Sequence, residues 1–183
     1  MKTFYTRKGD DGYTGLLRDG RVPKNHPIME AVGTVDEASA ALGVARAACR
    51  GNLSAEIILT IQRDLYSIMA EIAASPEHAE QFRKLNASRV SWLETQVDRL
   101  RAQVTLPQDF IVPGDSPAGA ALALARTIVR RAERQLTGLV HSSIVKNLEL
   151  LRYMNRVSSV CFVLELVENK VGGNPTPTLA RDV

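Results

Sequence analysis

Cysteine and histidine are nearly absent from this chain of 183 residues. Cys49 and Cys161 lie far apart inside apolar helical patterns, which excludes a disulfide framework and leaves two buried small hydrophobes. His26, His78 and His141 are scattered, so no metal-ligand spacing exists and no protein metal site is expected. Aromatic residues make up only 5% of a chain that is 45% hydrophobic, so Ala and Leu carry the apolar content and favour helices. No apolar run has membrane-spanning length and no secretory leader is present, so a cytoplasmic protein is expected, with no membrane partner. Charge of one sign is also lacking: a formal net charge of +3 is too small for a nucleic-acid binder.

What excess charge exists is concentrated at the start. Residues 1–26 hold Lys2, Arg7, Lys8, Arg18, Arg21 and Lys24 against Asp10, Asp11 and Asp19, and the remainder is formally neutral. A basic, glycine-containing leader on a neutral body suits a small anion better than a long polyanion. The length fits one domain over residues 1–183, able to bury about two-thirds of its unfolded surface.

Residues 1–27 have no helical period and read as an ordered loop or short extended segment. Four long apolar-periodic stretches and a shorter one then predict an all-α, five-helix bundle over 28–168. The expected helices are Ile28 to Cys49, Leu53 to Ala74, Ser88 to Val104, Pro117 to Leu139 and Ser143 to Glu168. Ser91 and Glu94 have capping-box spacing, and Ser116 followed by Pro117 reads as an N-cap and first helical residue. Trp92 is expected in the core or an interface. Residues 169–183 form the expected tail beyond the last helix, loose from Asn174 to Val183, where two prolines follow Gly172-Gly173.

Four segments carry candidate chemistry. Thr6-Arg7-Lys8-Gly9-Asp10-Asp11-Gly12-Tyr13-Thr14-Gly15 spaces glycines by three, so its backbone amides can turn toward phosphate oxygens, with Lys24 adding charge. It lacks the Gly-Lys-Ser/Thr of a P-loop, and a plain structural turn explains it equally well. Arg126, Arg130 and Arg134 recur every four residues along one helix face, either as a solvated stripe beside Glu133 or as an anion clamp. Asn155 and Ser159 share a face of the last helix, where Asn needs a polar partner, a core backbone group included. Asp36, in Gly33-Thr34-Val35-Asp36-Glu37, sits near the packing side of the first helix and calls for an arginine such as Arg126 or Arg130.

In this order the segments resemble the PduO-type family of ATP:cob(I)alamin adenosyltransferases. The likeness runs from Thr6 to about Leu166, adding Ile61-Gln62 and Phe110-Ile111-Val112-Pro113-Gly114 to the motifs above. The resemblance implies a ferritin-like, cobalamin adenosyltransferase-like bundle that forms a homotrimer with active sites between subunits. It implies that Thr6, Arg7, Gly9, Asp10, Gly12, Thr14 and Lys24 bind ATP together with Arg130, Glu133, Arg134 and Asn155. Asp36 would pair with Arg126 of an adjoining subunit, and Phe110 and Val112 would face the corrinoid. Arg126, Arg130, Phe110 and Asp36 are thus the candidate catalytic group. ATP and cob(I)alamin are the implied substrates, with Mg²⁺ on the phosphates and a B12-dependent enzyme receiving the product. The chain departs from the family pattern at Ala38-Ser39-Ala40, at Asp115 where a second glycine is usual, at Ala123 in place of His, and at Ser159 in place of Asp. An ATP- or corrinoid-binding sensor or carrier of the same fold is the alternative; a purely structural helical oligomer leaves the loop and the arginine stripe unexplained.

Overall fold

The computed structural model describes residues 5–181. A small antiparallel hairpin, β1 (Tyr13–Gly15) and β2 (Arg21–Pro23), precedes five helices. These are α1 (Pro27–Ala48), α2 (Asn52–Ala73), α3 (Ala87–Arg101), α4 (Pro117–His141) and α5 (Glu149–Val171), with a 3₁₀ turn at Ala79–Phe82. The all-α bundle and its five helices match the sequence reading. The hairpin adds strands where only a loop or extended segment was expected. Tyr13, Thr14 and Val22 favour extended backbone, and Gly20, at φ 94°, supplies the turn conformation that other residues avoid.

Side chains fix the helix starts. His26 Nδ1 accepts the Ile28 amide ahead of α1, and Ser116 Oγ accepts the Gly119 amide ahead of α4, each with proline at the first helical position. Asn86 caps α3 by accepting from Ser88 and Arg89. The expected Ser91–Glu94 capping box is therefore wrong: both residues lie inside α3, where Glu94 instead binds Arg156. The last helix starts later than expected, because Ser143 adopts a left-handed φ of 60° and Asn147 accepts the Glu149 amide, together closing a turn over 142–148.

α1 packs against α2 and α4, α4 against α5, and α3 against α5, with α2 closing onto α5. The shared core holds Leu42, Ile61, Leu65, Ile68, Leu122, Leu136 and Leu164, all fully buried. Cys161 is buried among them, and burial pushes its thiol up to about 12. Trp92 is half-buried against this core, with the Arg89 guanidinium 4.6 Å above its ring. Arg89 and the buried Tyr153 hydroxyl both donate to Asp64, tying α2, α3 and α5 together.

The antiparallel register of α4 and α5 is set at one end of the pair. Ser116 Oγ, already accepting from Gly119, donates to Asn169 Oδ1 at 2.7 Å, and all three groups are buried. No side chain fits at Gly119, where a Cβ would stand 2.0 Å from Asn169 Oδ1. The tail is not loose, contrary to expectation. Thr178 and Ala180 hydrogen-bond the backbone around Phe110, and Leu179 bridges Ile111 in antiparallel fashion. Asp115 also accepts from Thr178, so polar contacts outweigh the glycine and proline content that suggested freedom.

Replacing glycine by alanine within a helix ordinarily stabilises it by roughly 0.5–1 kcal/mol. Gly119→Ala should reverse that sign, costing about 1–3 kcal/mol through overpacking against Asn169. Urea unfolding measures it, and a stabilised variant would contradict the described α4–α5 contact.

Candidate functional site

The glycine-spaced segment folds into a compact turn ahead of β1. Gly12 donates to the Gly9 carbonyl, Lys24 donates its amide to the Gly12 carbonyl, and Gly12 has φ 81°. The Lys24 ammonium lies against Gly9, where a Cβ would be 3.0 Å from Nζ. Glycine at that position therefore lets a cation approach the turn's backbone. Arg7 also has a left-handed φ, 57°, strained for a side-chain-bearing residue. Thr6, Arg7 and Asp10 are exposed along this turn, and Thr14 is half-buried in β1.

Arg21 holds the turn in shape, a role the sequence reading did not assign. Its guanidinium donates to the Lys8 carbonyl and to Asp11, whose carboxyl is held below its ordinary range by that bond and by the Tyr13 amide. The only hint in the sequence was that Arg21 belongs to the basic leader. The partnership depends on the hairpin bringing Arg21 opposite Gly15, beyond any local spacing rule.

A second cluster lies on the outer face of α4 and α5. Asn155 donates to Glu133 at 3.0 Å across the two helices, and its own oxygen accepts from Arg156. Asn155 is exposed, so its partner is a carboxylate and not a core backbone group. Arg130 and Arg134 are exposed beside it, with the Arg134 guanidinium donating to the Arg130 carbonyl. Glu133 thus serves Asn155 and not the arginine stripe. The neighbouring Arg131 is taken by Glu37 of α1. Arg126, further along the same face, is half-buried and its Nε finds no partner among the described residues.

Asp36 is exposed on α1. Phe110 is 89% exposed and Val112 46%, both on the segment before α4. Among the described residues, no hydrogen bond or ion pair joins the N-terminal turn to Arg130, Glu133, Arg134 or Asn155. A cavity of about 540 Å³ lies under the hairpin between His26, Glu71, Arg83 and Lys146, and none of the expected site residues lines it. No group of three or more His, Cys, Asp or Glu side chains is placed to hold a metal among the described residues. No helix of the described residues is long and apolar enough to cross a membrane.

The order of these elements is that of a known family, and the family profile described as cobalamin adenosyltransferase matches residues 4–168. The chain belongs to the cobalamin adenosyltransferase family. It is 38% identical to the corrinoid adenosyltransferase PduO of Salmonella typhimurium over 167 residues, covering 91% of this chain and 49% of that protein. It is also 38% identical to the corrinoid adenosyltransferase of Bacillus subtilis over 175 residues, 93% of this chain and 88% of the relative. The chain spans about half the length of the PduO relatives from Salmonella typhimurium and Citrobacter freundii. Among solved structures, a variant PduO-type ATP:corrinoid adenosyltransferase from Lactobacillus reuteri, complexed with cobalamin and ATP, superposes with a TM-score of 0.89. That pair is 29% identical and covers 98% of this chain and 97% of the other.

One buried acid stands beside the arginine face of this family member. Glu165 is 1% exposed, with Oε1 unpaired among the described residues. Burial raises its carboxyl to about 7, with Arg126 opposing the rise and Asp115 adding to it. The unfolded chain releases this proton near the ordinary glutamate value of 4.5, so between those pH values the folded state binds more protons. Stability should therefore fall as pH rises from about 4.5 to about 7, and Glu165→Gln should flatten that part of the profile. Thermal melting across this range checks it; an unaltered slope in Glu165→Gln would refute the assignment.

Proposed function

We propose that the chain is an ATP:corrinoid adenosyltransferase acting in the cytoplasm. The observation that carries this is the convergence of Arg130, Glu133, Arg134 and Asn155 on one exposed α4–α5 face, alongside a glycine turn that seats Lys24. Relatives named corrinoid adenosyltransferase and the cobalamin and ATP of the Lactobacillus reuteri complex support the same reading.

In this reaction the Co(I) lone pair of a reduced corrinoid attacks C5′ of ATP. A cobalt–carbon bond forms, the C5′–O bond breaks, and its electrons leave with triphosphate. The corrinoid supplies the nucleophile, so the protein needs no triad of its own and contributes positioning and charge. Thr6, Arg7, Gly9, Asp10, Gly12, Thr14 and Lys24 cradle the phosphates. Arg126, Arg130 and Arg134 stabilise the departing triphosphate, and Asn155 with Glu133 orients the nucleotide. Mg²⁺ would accompany ATP and offset charge on its phosphates. Phe110 and Val112 present apolar surface to the corrin, and Phe110 keeps the lower ligand from cobalt, which makes Co(I) easier to reach. The product passes to a B12-dependent enzyme.

The active site is completed between subunits of a homotrimer. The exposed Val44 and Leu124 on α1 and α4 support this. Asp36, exposed on α1, pairs with Arg126 of an adjoining subunit.

Anaerobic mixing of protein, Mg-ATP and reduced cobalamin should yield the cobalt–carbon product, followed by absorbance. Arg130→Ala should lower kcat by roughly 100-fold or more while the assembly persists on gel filtration. Undiminished turnover would remove Arg130 from the mechanism. Asp36→Asn should weaken assembly or turnover, and normal behaviour in both would sink the intersubunit pair. ATP binding without product from the unaltered protein would favour the sensor or carrier.

A further inference from the structure

We infer that Asp115 is a positioning residue for corrinoid binding: it clasps the C-terminal tail and so holds Phe110 outward. The inference rests on the proposed corrinoid-facing role of Phe110. An aromatic ring 89% exposed on a segment outside any helix would ordinarily fold back onto apolar surface. Here the backbone from the Phe110 carbonyl to Val112 is pinned. The Phe110 carbonyl accepts from Ala180 at 2.7 Å, and the Val112 amide donates to the Thr178 carbonyl at 2.8 Å. Leu179 bridges Ile111 between them.

The pin is only as firm as the tail, and Asp115 secures the tail. One carboxylate oxygen accepts the Thr178 amide at 2.9 Å, and the other accepts the Thr178 hydroxyl at 2.7 Å. The Asp115 carbonyl also accepts from Asn174. Charge-assisted bonds of this kind are stronger than neutral ones, and Pro175 and Pro177 reduce the freedom lost when the span from Asn174 to Thr178 closes. Asp115 itself is anchored, because the next residue is the Ser116 cap bonded to Asn169 of α5. Gly114, at φ 135°, makes the turn that places Asp115 under the tail. A continuous chain of contacts thus runs from the α4–α5 lock through Asp115 and Thr178 to the backbone of Phe110.

The test is a double-mutant cycle on the full chain, with KM for cob(I)alamin and KM for ATP measured separately. Asp115→Ala should raise corrinoid KM on the order of tenfold with ATP KM unchanged. In a Phe110→Ala background the same change should add little, because the two act through one contact. Thr178→Val keeps the amide bond and loses only the hydroxyl one, so it should give a smaller effect in the same direction. Amide exchange at Val112 and Ala180 should accelerate in Asp115→Ala while α4 and α5 keep their protection. Unchanged corrinoid KM in both variants, full additivity with Phe110→Ala, or a parallel rise in ATP KM would overturn the inference. Absence of product from the unaltered protein would instead overturn the functional reading on which it rests.

Discussion

The register between α4 and α5 is the constraint on which the site depends. Ser116, Gly119 and Asn169 fix it at one end through a buried hydroxyl and a position where no side chain fits. Further along the same pair, that register places Glu133 opposite Asn155. Beyond the locked end it sets where the Phe110 segment enters α4 and where the tail leaves α5. The polar outer face and the apolar loop are therefore positioned by one packing decision. A slip of one turn along α5 would displace both by about 5 Å.

The design places little reactive chemistry on the protein. Both cysteines are raised to about 12 by burial, which keeps their thiols protonated and inert as nucleophiles. The charged groups on the outer faces are held mostly by one another: Glu37 by Arg131, Glu94 by Arg156, Asp11 by Arg21. Such exposed pairs add little stability individually, yet they fix orientation. What they leave accessible, Arg130 and Lys24 above all, are cations on exposed surfaces. That distribution suits a protein that positions anionic ligands and lets a substrate supply the nucleophile.

The helices were legible because their apolar periodicity is long and punctuated by Pro27, Ser116-Pro117 and Gly172-Gly173. Gly9, Gly12 and Lys24 were legible as a cluster, since a glycine-spaced basic turn has a local signature. Long-range polar contacts were not. Arg21 braces the turn through a hairpin. Composition misled at the tail, where proline and glycine suggested freedom but hydrogen bonds decided the outcome. The capping box at Ser91 failed for a related reason: Asn86, five residues earlier, offered a better cap just ahead of the helix. Spacing rules see neighbours along the chain, whereas much of this site is built from neighbours across it.

The two ends of the bundle are finished differently. At the Ser116 end, Glu168 also receives the Arg50 and Gly51 amides from the α1–α2 turn, so polar side chains knit all four long helices together. At the hairpin end, the wrapping segments enclose a cavity of about 540 Å³. Cooperative protection against opening should therefore be graded along the bundle axis, lowest beneath the hairpin. A ligand seated on the hairpin would then order the end of the fold that opens most readily, turning its occupancy into a source of mechanical closure for one end of the molecule.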